Sequence, residues 1–350
     1  MPDAASAVVS VVIPVYKTAG YLPRCLDSVL AQTLREIEIV AIDDASPDHA
    51  AEILKAYAAK DSRIRIVTHT ENRGSLVARL SGIRAASGEY ITFVDADDAL
   101  TPEILASALG KARASRADLV HFGVKAEGDA PAAFRSKWEK RNQPCSGPLL
   151  GEQVFDGLFR DRFYSWSIWG KLFRADRCRA GAEFIPPDYC LMAEDFSMFT
   201  AIATCLKHYE PLPEIGYLYT MNAGISSYSK LDLAVFRRQC TAFAACRTVR
   251  SCLEKRQLFD RYREAFQLRE YEVISDLLHR WRYSVRAADR DGIHAAVSGI
   301  RVPDTVPGVP PFLRLEQPAA RRTSDPEQPA AAAAGTGPPP RLARPRPGTL

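Results

Sequence analysis

The feature that most constrains the fold is a regular alternation of aliphatic runs and amphipathic segments in the first third of the chain. Aliphatic runs occur at 8–15, 37–42, 64–67 and 90–94. The segments between them place apolar residues three and four positions apart, which is typical of helices that pack on one side. Strands covered on both faces read as near-continuous aliphatic runs, so the pattern predicts a β-α-β-α-β-α-β order with a largely parallel sheet.

The remainder of the chain is less regular. Apolar helices are predicted near 152–160 and 195–206, a strand at 215–221, and helical structure from 230 to about 300. Between about 125 and 150 the periodicity lapses, which predicts a loop or an insertion. Beyond residue 302 lie half of the 24 prolines and an alanine run. Such a segment offers little apolar area to offset the entropy of ordering, so we expect it to be disordered.

Composition excludes several classes of protein. The net charge of +4 over 350 residues, partly due to arginines of the tail, is no nucleic-acid signature. No apolar run approaches the roughly 18 to 20 residues that span a bilayer, and the N-terminus lacks the features of a secretory signal, so we expect a cytoplasmic protein. The eight cysteines form no C-x-x-C pair. Buried, reduced thiols are therefore favoured.

Acidic residues follow two of the predicted strands at the point where each ends. Asp43 and Asp44 close the second strand, and Asp95, Asp97 and Asp98 close the fourth. Ligands bind beyond the carboxyl ends of strands in open α/β sheets, and alternation sends Asp95 and Asp97 the same way, so they can converge on Mg²⁺ or Mn²⁺. The alternative is that such acids are solvated turn residues or helix caps, and for Asp98 both interpretations stay open.

Phosphate-binding loops are absent from the sequence. It contains neither G-x-x-x-x-G-K-[ST] nor G-x-G-x-x-G, which argues against a P-loop enzyme and a dinucleotide binder of the usual kind. A bound nucleoside diphosphate would therefore need a cation to neutralise much of its charge.

Several short motifs stand in a characteristic order along the chain. They are VVIPVY at 11–16, IDDAS at 42–46, ENRG at 71–74, AR at 78–79 and GEYITFVDADD at 88–98, followed by WGKLFR at 169–174, AEDF at 193–196, YLY at 217–219 and SS at 226–227. As a set they resemble family 2 glycosyltransferases of bacterial surface-polysaccharide type, most strongly over residues 8–110. The resemblance implies an α/β GT-A fold, a Rossmann-like mixed sheet flanked by helices.

The resemblance also implies a division of the chain. Residues 1–110 would be the nucleotide-sugar-binding half of the GT-A domain and 111–229 the acceptor-binding and catalytic half. Residues 230–301 would form a helical extension, and 302–350 a disordered tail rich in proline and alanine.

Roles at the donor site are carried over position by position. The resemblance implies that Pro14 and Tyr16 border the nucleotide base, that Asp44 accepts a hydrogen bond from it, and that Arg79 approaches the nucleotide. Tyr16 could instead be a packing residue, and Arg79 a surface helix residue paired with an acid. Lys171 has the same surface alternative, and Trp166 and Trp169 are either core aromatics or platforms for a sugar. The histidines, His69 among them, lie in no metal-ligand spacing and are assigned no chemistry.

The acids are given distinct roles by the same resemblance. Asp97 resembles the direct ligand of the Mn²⁺ or Mg²⁺ ion, and Asp95 faces the ribose or metal-bound water. Asp195 matches the catalytic base, which Glu194 supports. The chain departs from the family pattern at three positions, with Ala45 in place of the usual Gly, Leu80 in place of Asn, and Ala193 in place of Gly.

The implied activity is inverting, metal-dependent transfer of a hexosyl or N-acetylhexosaminyl group. The donor would be a nucleotide sugar, with UDP favoured, and the acceptor a hydroxyl of a growing glycan or lipid-linked saccharide in cell-surface polysaccharide synthesis. Such an acceptor would bring the enzyme to the inner face of the plasma membrane. Arg280, Arg282 and Arg286 could assist this peripheral association, although a solvated helix face is favoured.

Two other classes of function compete with this one. A sugar nucleotidyltransferase would need a glycine-rich basic loop after the first strand, where this chain has YKTAG at 16–20. A non-catalytic glycan-binding or nucleotide-sugar-binding relative would not need Asp95, Asp97 and Asp195, which are all present. Hydrolysis of the donor would separate an enzyme from a binder.

Overall fold

The computed structural model describes residues 7–221 and 233–285, and within these ranges it contains nine strands and eleven helices. The strands are β1 (Val9–Val15), β2 (Ile37–Asp43), β3 (Ile64–Thr68), β4 (Tyr90–Phe93), β5 (Ala99–Leu100), β6 (Leu119–Glu127), β7 (Leu149–Leu150), β8 (Lys171–Arg174) and β9 (His208–Thr220). The helices are α1 (Leu22–Leu30), α2 (Ala50–Ala58), α3 (Gly74–Ala85), α4 (Ile104–Ser115), α5 (Ala132–Asn142), α6 (Glu152–Phe159), α7 (Ala175–Ala182), α8 (Glu194–Ala203), α9 (Leu233–Gln239), α10 (Ala242–Lys255) and α11 (Phe259–Tyr283).

All described strands belong to one mixed sheet. Its order is β3-β2-β1-β4-β8-β6-β9-β5, and β7 pairs with β9. The four strands from β3 to β4 are parallel, whereas β8 runs antiparallel to both β4 and β6. Parallel neighbours bring their carboxyl ends to one edge, so β1, β2 and β4 deliver the segments that follow them to the same place.

Helices cover both faces of the sheet. Alternation along β1 sends Val9, Val11 and Ile13 into a layer with α1, α2 and α4, and Val12 into a second layer with α3, α7 and α8. These strand residues have no exposed surface. Burial on both faces explains why the strands of the first third read as continuous aliphatic runs, and the predicted α/β class with a mixed, helix-flanked sheet is confirmed.

The prediction of a loop or insertion at 125–150 is wrong, because this stretch contains the end of β6 and the whole of α5. Asn142 is the one buried residue that α5 contributes. A helix solvated on nearly all sides has no apolar stripe, so its period is invisible in the sequence. The predicted boundary between residues 110 and 111 falls inside α4, and one sheet runs through both halves.

Other predictions have mixed outcomes. The eight cysteines are all free and seven of them are buried, as expected. Arg280 is buried, and its Nε donates to Asp276 Oδ2 at 2.8 Å. The prediction that Arg280 lies on a solvated helix face is therefore wrong. The segment 222–232, the tail and Arg286 lie outside the described residues. Over the ranges that are described, no helix is both long and apolar enough to cross a bilayer.

Candidate active site

A cavity of about 400 Å³ lies beyond the carboxyl ends of β1, β2 and β4. The first turns of α3 and α8 border it. Its walls include seven of the predicted site residues, namely Pro14, Tyr16, Asp44, Arg79, Asp95, Asp97 and Glu194. The structure therefore brings together residues that are up to 180 positions apart in the sequence.

Arg79 is the centre of an ionic cluster in this cavity. It lies on α3 and is 3% exposed, so it is not the surface helix residue of the alternative interpretation. One terminal nitrogen, Nη2, donates to Asp95 Oδ1 at 2.7 Å, and Nη1 donates to Asp195 Oδ1 at 2.9 Å. Nη1 also lies 3.4 Å from Glu194 Oε1. A single guanidinium group thus joins the acid that follows β4 to the acid pair of α8.

The acid pair occupies the first turn of α8. Ser75 Oγ donates to Glu194 Oε1 at 3.1 Å, and the main-chain N–H of Ile168 donates to Asp195 Oδ2 at 3.3 Å. Burial raises the pKa of Glu194 and of Asp195, while the neighbouring Arg79 lowers both. Among the described residues Glu194 lines the cavity wall, whereas Asp195 reaches the site through its bond to Arg79.

Lys171 supports the loop that contacts Asp195. It lies on β8 with no exposed surface, so the interpretation of Lys171 as a surface residue is wrong. Its Nζ donates to the carbonyl of Ser167 at 2.7 Å and to the hydroxyl of that residue at 3.0 Å. Burial lowers the pKa of Lys171 to about 7. Because Ile168 follows Ser167 directly, these bonds fix the N–H group that binds Asp195.

Asp97 differs from the other strand-end acids in its hydrogen bonding. Among the described residues, no other residue donates a hydrogen bond to its carboxylate. Burial and the nearby Asp95 raise the pKa of Asp97 to about 6. A half-buried carboxylate that faces a cavity without a donor suits a divalent cation.

Within the described ranges, no group of three or more His, Cys, Asp or Glu side chains is arranged to hold a metal. An ion at Asp97 and Asp95 would therefore complete its coordination with water and ligand oxygens. Mg²⁺ commonly binds in this way, through one or two carboxylates and the phosphates of a substrate.

Asp98 has a structural role. It is 1% exposed and accepts hydrogen bonds from the Tyr217 hydroxyl and the Thr220 N–H, both at 2.7 Å. It therefore ties the turn after β4 to β9. Helix α4 begins at Ile104 without a side-chain cap, so the helix-cap interpretation of Asp98 is wrong.

Asp44 is already well satisfied by the chain itself. Its Oδ1 accepts from the main-chain N–H of Arg73 at 2.9 Å and lies 2.6 Å from Nδ1 of His69, while Oδ2 accepts from Gly74 N–H at 2.8 Å. Gly74 has a φ of +82°, which a side chain would oppose. Asp44 thus anchors the start of α3, and His69, given no role from the sequence, holds it in place.

Two alanines occupy positions where the family pattern has glycine. Ala45 and Ala193 have φ values of 54° and 61°, in the left-handed region that glycine adopts without steric cost. Ala45 follows Asp44, and Ala193 precedes Glu194. The two departures noted in the sequence are therefore positions where the backbone next to a site acid is strained.

The two tryptophans near the site differ in burial. Trp169 is 7% exposed and stacks on Tyr217 with ring centroids 5.0 Å apart, so it is a core aromatic. Trp166 is half-buried, and its ring centroid lies 5.0 Å from that of Phe196.

Sequence reasoning missed several residues that line the cavity, among them Lys17, Tyr189, Tyr219 and Arg238. Tyr219 lies in a motif, but nothing local marks Tyr189 or Arg238, which come to the cavity from distant segments.

A mixed sheet flanked by helices, with acids beyond its strand ends and a cavity between two helix starts, is the architecture of the GT-A fold. Residues 10–174, slightly less than half of the chain, match the model of glycosyl transferase family 2, so this part of the chain is similar to that family. The uncharacterized glycosyltransferase EpsJ of Bacillus subtilis is 32% identical over 168 residues, which are 48% of this chain and 48% of EpsJ. The chain thus spans about half the length of that relative.

Solved structures share the fold at low sequence identity. S. aureus TarS 1–349 in complex with UDP-GlcNAc superposes with a TM-score of 0.52 at 19% identity, over 83% of this chain and 87% of TarS 1–349. The mannosyltransferase PcManGT from Pyrobaculum calidifontis, in complex with GDP-Man and Mn²⁺, gives a TM-score of 0.50 at 17% identity, over 87% and 79% of the two chains. At these identities the likeness shows the common GT-A fold.

Proposed function

We propose that the chain is a metal-dependent inverting glycosyltransferase. It would move a hexosyl or N-acetylhexosaminyl group from a nucleoside diphosphate donor, UDP being favoured, to a hydroxyl of a glycan or lipid-linked acceptor in cell-surface polysaccharide synthesis. The observation that carries the proposal is the single Arg79 guanidinium that joins Asp95 to Asp195 on the wall of one cavity. This cluster supports the proposal because it joins Asp95, at the proposed cation site, to Asp195, the proposed base, and transfer from a diphosphate donor uses both kinds of group.

The donor half of the cavity is formed by the segments that follow β1, β2 and β4. Pro14 and Tyr16 form the wall for the nucleotide base of the donor, and Asp44 holds the start of α3 beside this wall. A divalent cation held by Asp97 with Asp95 would act as a Lewis acid on the departing diphosphate. Lys17 and Arg238 are exposed at the same cavity, where they can attract the phosphates.

The acceptor half of the cavity is formed by α8. Asp195 takes the proton from the acceptor hydroxyl, and burial, which raises the pKa of its carboxylate, makes it a stronger base. Ile168 N–H and Arg79 hold both of its oxygens, so its direction is fixed, while Glu194 lines the wall beside it. One base on the face opposite the leaving group predicts a single displacement, so an α-linked donor gives a β-linked product.

The cation assignment is tested by calorimetric titration of the full chain with UDP, with and without Mn²⁺. We expect Mn²⁺ to strengthen UDP binding to the wild type and to have no effect on Asp97→Ala. The matched control is Glu89→Gln, which removes an exposed carboxylate outside this cavity and should keep the Mn²⁺ effect. Equal affinity of wild type and Asp97→Ala in the presence of Mn²⁺ would contradict the assignment.

A further inference from the structure

A second cavity, of about 770 Å³, borders the candidate active site. We call it the arginine groove, and the residues that define it here are Arg141, Arg162, Trp166, Met192, Arg269 and Glu272. Met192 lines both cavities, and Ala193, which also lines the groove, directly precedes Glu194. The groove therefore opens on the α8 side of the site, where the proposed base lies, and not on the side of the strand ends.

The groove carries an excess of positive charge. Arg162 and Arg269 both pair with Glu272, so two guanidinium groups share one carboxylate. Arg141 is exposed at the end of α5, and it forms no ion pair with a carboxylate of the described residues. Burial lowers the pKa of Arg269, and the positive charges of Arg162 and Arg141 lower it further, as expected for cations that face one another.

Contacts with the rest of the chain hold the arginines of the groove in place. Arg269 is 5% exposed, and its guanidinium donates to the carbonyls of Leu158 at 2.8 Å and Phe159 at 3.3 Å. The guanidinium groups of Arg141 and Arg269 lie over the ring of Trp166, at 6.0 and 5.0 Å from its centroid. An aromatic plane with guanidinium groups held against it presents fixed donors beside a flat apolar surface.

We propose that the arginine groove binds phosphate groups of the sugar acceptor, so that the acceptor of this enzyme is a phosphate-bearing saccharide or polyol. The planar forks of arginine match phosphate oxygens, and the Trp166 ring can carry the carbohydrate part. The donor diphosphate has its own site at Asp97 in the first cavity, which leaves the groove for the second substrate. This inference rests on the proposed function, since it names the acceptor class for the same site.

Two sources of phosphate share this chemistry, a lipid-linked diphosphate and a repeating phosphodiester. Three probes separate them: geranyl-diphosphate-linked N-acetylglucosamine, a ribitol phosphate tetramer, and the neutral octyl N-acetylglucosaminide. Each is titrated calorimetrically into the full chain in the presence of UDP and Mn²⁺, which occupy the donor cavity. We expect at least one phosphate-bearing probe to bind about tenfold more tightly than the neutral one. The tighter of the two identifies the source.

Matched variants test the groove itself. Arg141→Gln should lose most of the preference for phosphate, and Arg141→Lys should keep part of it. Arg113→Gln is the control, because Arg113 is also an exposed arginine but lies at another surface cavity, beside Glu89. Equal binding of charged and neutral probes to the wild type, or an equal loss in Arg113→Gln, would overturn the proposal.

Hydrolysis of UDP-N-acetylglucosamine and UDP-glucose by the wild type, measured in parallel, reports on the proposed function alone. Absence of hydrolysis with an intact preference for phosphate would contradict the enzyme and leave the groove standing. Hydrolysis without any preference for phosphate would contradict the groove and leave the enzyme standing.

Discussion

The two acid-bearing regions of the site are held in different ways. After β2, Asp44 is bound by main-chain N–H groups at the start of α3, in the same half of the chain. In α8, Asp195 and Glu194 depend on Arg79, which comes from more than 100 residues away. Asp44 is therefore held by main-chain N–H groups within its own half of the chain, whereas the two acids of α8 are held by a counter-ion from the other half.

The comparison also separates supporting acids from acids available to a ligand. Asp44 and Asp98 accept two or more hydrogen bonds each from the chain. Asp97 accepts none from another described residue, although it lies in the same set of strand-end acids. Sequence position alone gives all three the same appearance.

The largest expected effect is that of removing the long-range counter-ion. Arg79→Met leaves three buried or half-buried carboxylates without their shared cation, so we expect the free energy of unfolding at pH 7 to fall by about 3 kcal/mol. The pKa of Glu194 is already raised by burial and by Asp195, so protonation at pH 5 should reduce the deficit. Urea denaturation at both pH values measures this, with Arg84→Met, on the same helix, as control. A loss below about 1 kcal/mol would mean that α8 is held without Arg79.

A smaller effect concerns the buried cation behind the α8 region. The folded-state pKa of Lys171 is about 7, whereas the unfolded chain titrates near 10.4. Between these values the unfolded chain binds one proton more, so the stability of the wild type rises with pH. Relative to Lys171→Met, it should gain about 2 kcal/mol between pH 7 and pH 9. Denaturation curves of both proteins give the difference, and a difference independent of pH would show that the ammonium ion persists.

The smallest effect is expected at the strained backbone before α8. Ala193→Gly relieves the left-handed conformation, so the free energy of unfolding should rise by about 0.5 kcal/mol, after allowance for the greater freedom of glycine in the unfolded chain. Ala106→Gly, within α4, serves as control and should be destabilising by about 0.5 to 1 kcal/mol. Thermal unfolding ranks the three proteins. A destabilised Ala193→Gly would show that this alanine contributes contacts that outweigh its strain.

The strand-end half of the site is predictable because its residues follow strands with a clear signal. Asp95 and Asp97 follow β4 within a few residues, and the aliphatic runs reveal β1, β2 and β4. The sequence does not indicate which of these acids accepts hydrogen bonds from the rest of the chain. The bond between Asp98 and Tyr217 joins residues 119 positions apart, and no local pattern encodes it.

The α8 half of the site is predicted from a family motif and not from hydrophobic periodicity or residue spacing. Residues 193–196 are recognised through family resemblance, but the partners of Asp195 come from α3 and from the loop before β8. Lys171 illustrates the limit, because a charged residue next to apolar ones reads as a surface position until the fold buries it. Helix α5, which carries Arg141 in its last turn, is missed because it is exposed on nearly all sides and therefore has no apolar period.

The most direct test of the central claim compares donor binding with sugar transfer in Asp195→Asn. The account predicts that UDP-sugar affinity in the presence of Mn²⁺ stays within about twofold of the wild type, while the single-turnover rate of transfer falls by at least about 100-fold, the range for a positioned base. Glu194→Gln, measured beside it, should lose less. A transfer rate for Asp195→Asn within about tenfold of the wild type, below the contribution of such a base, would contradict the account.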